Sequence, residues 1–191
     1  MDHKAALKLP PGQVVSLRLT VMTFGGVPQL DKSHYRLEVG GAVKSPLNLD
    51  WEALQEFGLC ELSADFHCVT RWSKLDVHWA GVPTQALLQA ASPLPEARFV
   101  LVHCYGGYTT NIESSDLREP TSLLAHTLEG EPLPPEHGGP LRLLLPHRYG
   151  WKSAKWVSRI EFLTQEVLGF WEQHGYHRRG DFQLEERFSG D

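Results

Sequence analysis

No run of 18 consecutive apolar residues occurs in this 191-residue chain, which excludes a membrane-spanning helix. Cysteine is scarce. Cys60, Cys68 and Cys104 are the whole complement, an odd number without a Cys-x-x-Cys pair, so a disulfide framework is excluded as the basis of the fold. Basic residues show no excess: 18 Lys and Arg stand against 23 Asp and Glu, for a formal net charge of −5. Without a basic block, a surface for nucleic-acid phosphates is not expected. Internal repeats and low-complexity linkers are missing, and the opening MDHKAALKLPPGQVV has no apolar stretch of the export type. These absences lead to the expectation of a soluble, cytoplasmic protein with free thiols and no membrane span.

What is present is globular in character, with 41% hydrophobic and 21% charged residues. Thirteen prolines and 17 glycines punctuate short apolar segments, which predicts an α+β fold with mixed β-sheets, short helices and long loops. QVVSLRLTVM and HYRLEVGGAV alternate as strands do, and ARFVLVHCY, PLRLLLP and KWVSRIEFLTQ read as further strands, the first two buried. PLNLDWEALQEFG predicts a helix capped by Asn48 or Asp50 with Trp51, Leu54 and Phe57 on one face. PTQALLQAAS predicts a second, with Ala86, Leu87 and Ala90 inward, and SSDLREPTSLLAHTLEGEPLP a helical patch among turns. Residues 1–16 are expected to form an N-terminal arm, 17–168 one domain, and 169–191 a C-terminal extension packed on it.

Three stretches can carry chemistry. In ADFHCVTRWSKLDVHWAGVP, Cys68 follows His67 at the end of a strand, where a thiol serves as nucleophile, metal ligand or small core residue. In HGGPLRLLLPHRYGWKSAKW, His137, Arg142, Lys152, Ser153 and Lys155 accompany a Gly-Gly-Pro turn. They suit an anion pocket of guanidinium fork, ammonium and close backbone donors, or else a strand edge with its cations in water. In VHCYGGYTTNIESSDL, a buried strand carrying Cys104 runs into a Gly-Gly turn, either a tight turn or a ligand loop. A zinc site from His67, Cys68, His103 and Cys104 is disfavoured, because sequential neighbours cannot both reach one ion.

Taken together, FHCVTRWS…WAGVP, GGYTTN and LLAHTLEGEPLPPEHGGPLRLLLPHRYGWKSAKWVSRIEF resemble, in order and spacing, the molybdopterin-binding domain of the sulfite oxidase superfamily, most of all its compact stand-alone bacterial members. The resemblance runs from about Leu17 to the C-terminus. It implies a sulfite-oxidase-type molybdopterin-binding domain and a molybdenum–molybdopterin cofactor. Cys68 falls where the family places its protein ligand to molybdenum, and a soft sulfur suits a thiophilic metal. His137 and Arg142 match the pair that holds the pterin and its phosphate. Ser153, Ala154 and Lys155 match the segment completing that grip. Phe24, His67 and Cys104 fall beside cofactor-touching positions, and Trp72 and Trp79 become walls of the pocket.

The implied function is a molybdenum-dependent oxidoreductase moving an oxygen atom, or doing related two-electron chemistry, on a small substrate with an unidentified electron donor or acceptor. The alternative is a molybdopterin-binding or interaction module without turnover. Two departures motivate that alternative and make sulfite a doubtful substrate: the family's sulfite-binding arginine is matched by Met22, and its active-site tyrosine by Leu168.

Overall fold

A computed structural model describes residues 9–191, so residues 1–8 of the expected arm lie outside the described residues. In chain order the strands are β1 (Val14–Val15), β2 (Leu37–Gly41), β3 (Leu47–Leu49), β4 (Cys60–His67), β5 (Trp72–Pro83), β6 (Phe99–Cys104), β7 (Thr109–Glu113), β8 (Leu123–Leu128), β9 (Glu131–Pro132), β10 (Arg142–Leu144) and β11 (Val157–Leu163). The α-helices are α1 (Trp51–Gln55), α2 (Thr84–Ala91) and α3 (Phe170–Gln173). The expected α+β fold of mixed sheets and short helices is what the chain adopts.

One sheet has five strands in the order β3-β2-β11-β6-β7, with β2 and β11 parallel and its other pairs antiparallel. The other has six, built around β5. That long strand pairs with β4 along one edge, and with β1 and then β8 along the other, while β8 carries β9 and β10.

Alternation explains the unbroken apolar stretches at residues 123–125 of β8 and 143–144 of β10. Leu124 and Leu143, partners in register, face one hydrophobic cluster, while Leu123, Ala125 and Leu144 face another. Successive side chains on a strand point to opposite faces, so a strand covered on both sides has no polar face to show. At the crossing of β5 and β8, Gly81 pairs with both Cys60 and Ala125. A Cβ on Gly81 would collide with the Leu124 carbonyl and the Ala125 backbone, so only glycine admits β8 this closely.

Asp50 caps α1, its Oδ1 accepting from the Ala53 amide at 2.9 Å. Leu54 is fully buried, with Trp51 and Phe57 packed beside it, as the helical spacing predicts.

Three local expectations are corrected. QVVSLRLTVM forms only the two residues of β1; the rest runs as an irregular segment in which Leu17 is 91% exposed and Leu19 packs against the second hydrophobic cluster. The buried face of α2 is Thr84, Leu87, Leu88 and Ala91, not Ala86, Leu87 and Ala90, because the helix starts at Thr84 after Pro83. The helical patch after Ser114 is a single short turn at Asp116–Arg118, and LLAHTL is the strand β8, whose partners on both edges outweigh local propensity.

Candidate functional site

The hairpin of β4 and β5 places Cys68 at the first residue of its connecting turn. The Cys68 amide donates to the Trp72 carbonyl at 2.9 Å and the Arg71 amide to the Cys68 carbonyl at 3.1 Å, with Arg71 in the left-handed region at φ 73°. Gln13 Nε2 adds a bond to the same carbonyl at 3.0 Å. The turn is thereby fixed from both sides, and the Cys68 Sγ faces a cavity with Thr70 Oγ1 3.1 Å away.

That cavity, of about 180 Å³, is where five parts of the chain converge. The hairpin contributes Phe66, Cys68, Thr70 and Trp72. The block after β9 contributes His137, Arg142, Trp151, Ser153, Ala154, Lys155 and Trp156. The irregular N-terminal segment supplies Met22 and Phe24, the turn after β6 Tyr108, and the C-terminal segment Trp171 and Tyr176. Among the described residues no Asp or Glu lines it.

Arg142 begins β10 and is fully buried, its guanidinium 5.2 Å from the Phe66 ring centre and 5.4 Å from that of Trp79. It donates to the carbonyls of His137 at 2.9 Å and Ser153 at 2.8 Å, and more loosely to Leu143 at 3.5 Å. That engages three of its five N–H groups. Among the described residues it has no carboxylate partner, and burial lowers it to about 10. Lys155 donates to the carbonyls of Met22 at 2.9 Å and Glu136 at 2.6 Å. Burial, and then the charge of Arg142, bring it down to about 7. Burial and both cations likewise lower His137. The cavity therefore gathers desolvated positive charge at one side and a sulfur at another, an arrangement that calls for an anion which also offers a soft acceptor.

Of the residues singled out from sequence, Phe24, Cys68, His137, Arg142, Ser153, Ala154, Lys155, Met22 and Trp72 line this one cavity. His67 does not: neighbours on a strand point apart, and its ring binds Ser73 Oγ through Nδ1 at 2.8 Å and packs on Phe182. Cys104 is also outside, buried in the main hydrophobic cluster, where burial pushes its thiol up to about 12. Trp79 supports Arg142 from the second cluster without lining the cavity. The expected backbone donors of the Gly-Gly turn are spent inside it, Gly138 on the Pro135 carbonyl and Gly139 on that of Pro134. Lys152 turns away to Glu172. Among the described residues no group of three or more His, Cys, Asp or Glu gathers to hold a metal ion, and His103 is paired with Glu161, so the zinc alternative falls.

Leu168 stands outside the cavity, but a phenol is present: Tyr176 lines it, and burial together with the nearby Cys68 raises its pKa. Tyr108 belongs to the VHCYGGYTTN stretch read as a tight turn or a ligand loop, whereas sequence reading missed Tyr176 and Trp171. The only available signal was the density of aromatics in GFWEQHGYH, which lacks the period that would assign a face.

Comparison with known proteins agrees with this geometry. The family model described as oxidoreductase molybdopterin binding domain matches residues 24–171. An uncharacterised oxidoreductase of Bacillus subtilis, YuiH, is 43% identical over 185 residues, covering 96% of this chain and 93% of the relative. The protein-methionine-sulfoxide reductase catalytic subunit MsrP of Campylobacter jejuni is 28% identical over 158 residues, covering 74% of this chain and 53% of its own length. Among solved structures, the sulfane dehydrogenase SoxCD from Paracoccus pantotrophus matches with a TM-score of 0.68 at 25% identity, over 74% of this chain and 41% of that one. The chain thus spans about half of MsrP and less of SoxCD, but nearly all of YuiH. It belongs to the family of oxidoreductases built on a molybdopterin-binding domain, and molybdopterin carrying molybdenum is its cofactor.

Proposed function

We propose that the cavity holds this cofactor, with Cys68 as the protein ligand to molybdenum, and that the chain transfers an oxygen atom to or from a small uncharged substrate. The observation that carries the reading is one cavity holding the Cys68 sulfur, the guanidinium of Arg142 and Lys155, with no carboxylate of the described residues on its walls. The donor set fits the group: a sulfur for a thiophilic metal, and two desolvated cations for the pterin phosphate.

When bound, molybdenum on a dithiolene-bearing pterin supplies two-electron exchange coupled to oxygen-atom transfer. Everything else is the work of the chain. Arg142 and Lys155 bind the anionic end, and His137, kept neutral by burial and by those two cations, offers a ring nitrogen beside them. Ser153 Oγ accepts from the Leu145 amide at 2.9 Å, which fixes the strand-side wall rather than gripping a ligand. Tyr108 donates to the Trp151 carbonyl at 2.8 Å and holds that ring on the wall. Tyr176 makes no hydrogen bond through its hydroxyl among the described residues and can donate to a substrate oxygen.

The substrate side is aromatic and apolar, with Met22, Phe24, Trp171 and Tyr176 and, among the described residues, no Lys or Arg beyond the two assigned to the cofactor. An oxyanion such as sulfite loses its hydration there without gaining a partner, whereas the S–O or N–O group of a neutral oxide needs only a donor. Relatives that carry the name methionine-sulfoxide reductase favour an S-oxide. The module without turnover loses half of its motive, since Tyr176 supplies the phenol thought absent.

An unidentified electron donor or acceptor completes the cycle. The cytoplasm is the proposed compartment, supported by three unpaired cysteines. No helix among the described residues is long and apolar enough to cross a membrane. Residues 17–168 are proposed as the domain and 169–191 as its packed extension. Protein from a pterin-producing host, assayed with reduced methyl viologen against dimethyl sulfoxide, methionine sulfoxide, trimethylamine N-oxide, nitrate and sulfite, should reduce the neutral oxides and leave sulfite untouched under oxidising mediators. Metal-loaded protein inert toward every one of them would overturn the turnover claim.

A further inference from the structure

Outside the cavity, the most heavily engaged buried charges are Lys152 and Glu172. Both side chains are wholly excluded from solvent, 2.6 Å apart. Lys152 Nζ also donates to the carbonyls of Asn111, at 2.7 Å, and Arg178. Glu172 Oε1 accepts in addition from Trp151 Nε1 at 2.8 Å and from Thr110 Oγ1 at 3.0 Å. Holding the C-terminal segment down does not demand such a network, because a buried pair replaced by apolar groups of similar volume is often as stable.

Its location suggests another use. Trp151, bonded by Glu172, lines the cavity, and so does Trp171, the residue before Glu172. The Tyr176 amide donates to the Trp171 carbonyl at 3.0 Å, their rings stack 5.0 Å apart at 22°, and the Tyr176 ring meets the edge of Trp151 at 5.2 Å. Apolar contact alone lets an aromatic segment settle in more than one register. Directional bonds from one fixed ammonium allow only one.

We propose that the Lys152–Glu172 pair is a positioning device that sets Trp171 and Tyr176 against Trp151, so that the C-terminal segment forms the substrate-facing wall of the site. The proposal rests on the reading of the cavity as the molybdenum site, and the test separates the two. Molybdenum-loaded wild-type protein is compared with Glu172→Gln, with Lys152→Met, and with the Lys152→Met/Glu172→Met double variant, which carries no buried lone charge and keeps the fold measurable if the singles fail. Arg179→Gln, which loosens the Arg179–Glu186 pair of the same segment away from the cavity, is the control.

In the double variant, metal content stays at the wild-type level, hydrogen exchange at the amides of residues 170–176 rises roughly tenfold or more, and the electron paramagnetic resonance line shape of the half-reduced metal changes. Arg179→Gln leaves that line shape as it was. A double variant that keeps its metal with an unaltered line shape would show that the pair only fastens the segment. A folded double variant that loses its metal while the wild type holds it would show that the pair serves cofactor retention instead; either result overturns the proposal. Wild-type protein without molybdenum would count against the site itself.

Discussion

The ammonium of Lys155 donates to the carbonyl oxygen of Met22 at 2.9 Å and joins residues 133 apart in sequence across the cavity. The bond places a cation held down by burial and by Arg142 under the irregular N-terminal segment. Native Lys155 gives up its proton near pH 7, whereas an unfolded chain keeps it to about 10.5. Between those values the unfolded state binds more protons, so the stability of the cofactor-free protein rises with pH across that window, and the cost of the buried charge is fully present below it. Lys155→Met should remove this part of the slope. Denaturant unfolding at pH 6 and pH 9 checks it, and equal slopes in both proteins would contradict it.

Cys68→Ser should abolish most metal binding. Loss of an outer-shell partner costs roughly 10–100-fold in metal affinity, and loss of the ligand itself should exceed that. Elemental analysis and visible absorption read the result. Undiminished molybdenum with an unchanged spectrum would remove Cys68 from the proposed role.

Arg142→Met separates stability from function. In the cofactor-free protein the substitution relieves a fully buried charge with no carboxylate partner, and the change in unfolding free energy should lie between about zero and 1–4 kcal/mol of stabilisation. Cofactor retention should fall sharply, because no remaining fork meets the phosphate. Thermal unfolding of both forms, paired with pterin analysis, measures the two effects. A strong loss of stability with cofactor retained would reverse the assignment.

Gly81→Ala tests the sheet that carries the site. The added methyl meets backbone on β8 rather than a side chain that can swing aside. The loss should reach or exceed the ~1–3 kcal/mol of an overpacked core position. Urea unfolding provides the number, and a change within about 0.5 kcal/mol would mean that β5 and β8 separate more easily than their register implies.

Much of the architecture was legible because burial leaves a period. β6 and β10 lie in apolar runs of strand length, β11 mixes apolar and polar residues as a half-covered strand does, and Asp50 with Trp51, Leu54 and Phe57 spells a capped helix. Cys68 and Arg142 stood out through the resemblance of their motifs to the family, and the structure brings both to one cavity. What escaped depends on distant partners. β8 was taken for a helical patch, since LLAHTL suits either state until β5 and β10 flank it. The strand expected over QVVSLRLTVM lacks a partner that no local pattern could reveal. His67 stood out by adjacency to Cys68, although a strand turns successive residues to opposite sides, and Cys104 by the resemblance, although its side chain is buried in the main hydrophobic cluster. Tyr176 escaped because three-dimensional packing, not periodicity, brings the segment after Gly169 back over the cavity.

Phe24, made early, packs 4.5 Å from Phe170 and 5.7 Å from Trp171, both made late. On the ribosome, at roughly 5–20 residues per second, the cavity lacks this wall until translation has passed Tyr176. A closed wall on this side of the cavity therefore forms only after the segment through Tyr176 has been made and has folded back against Phe24.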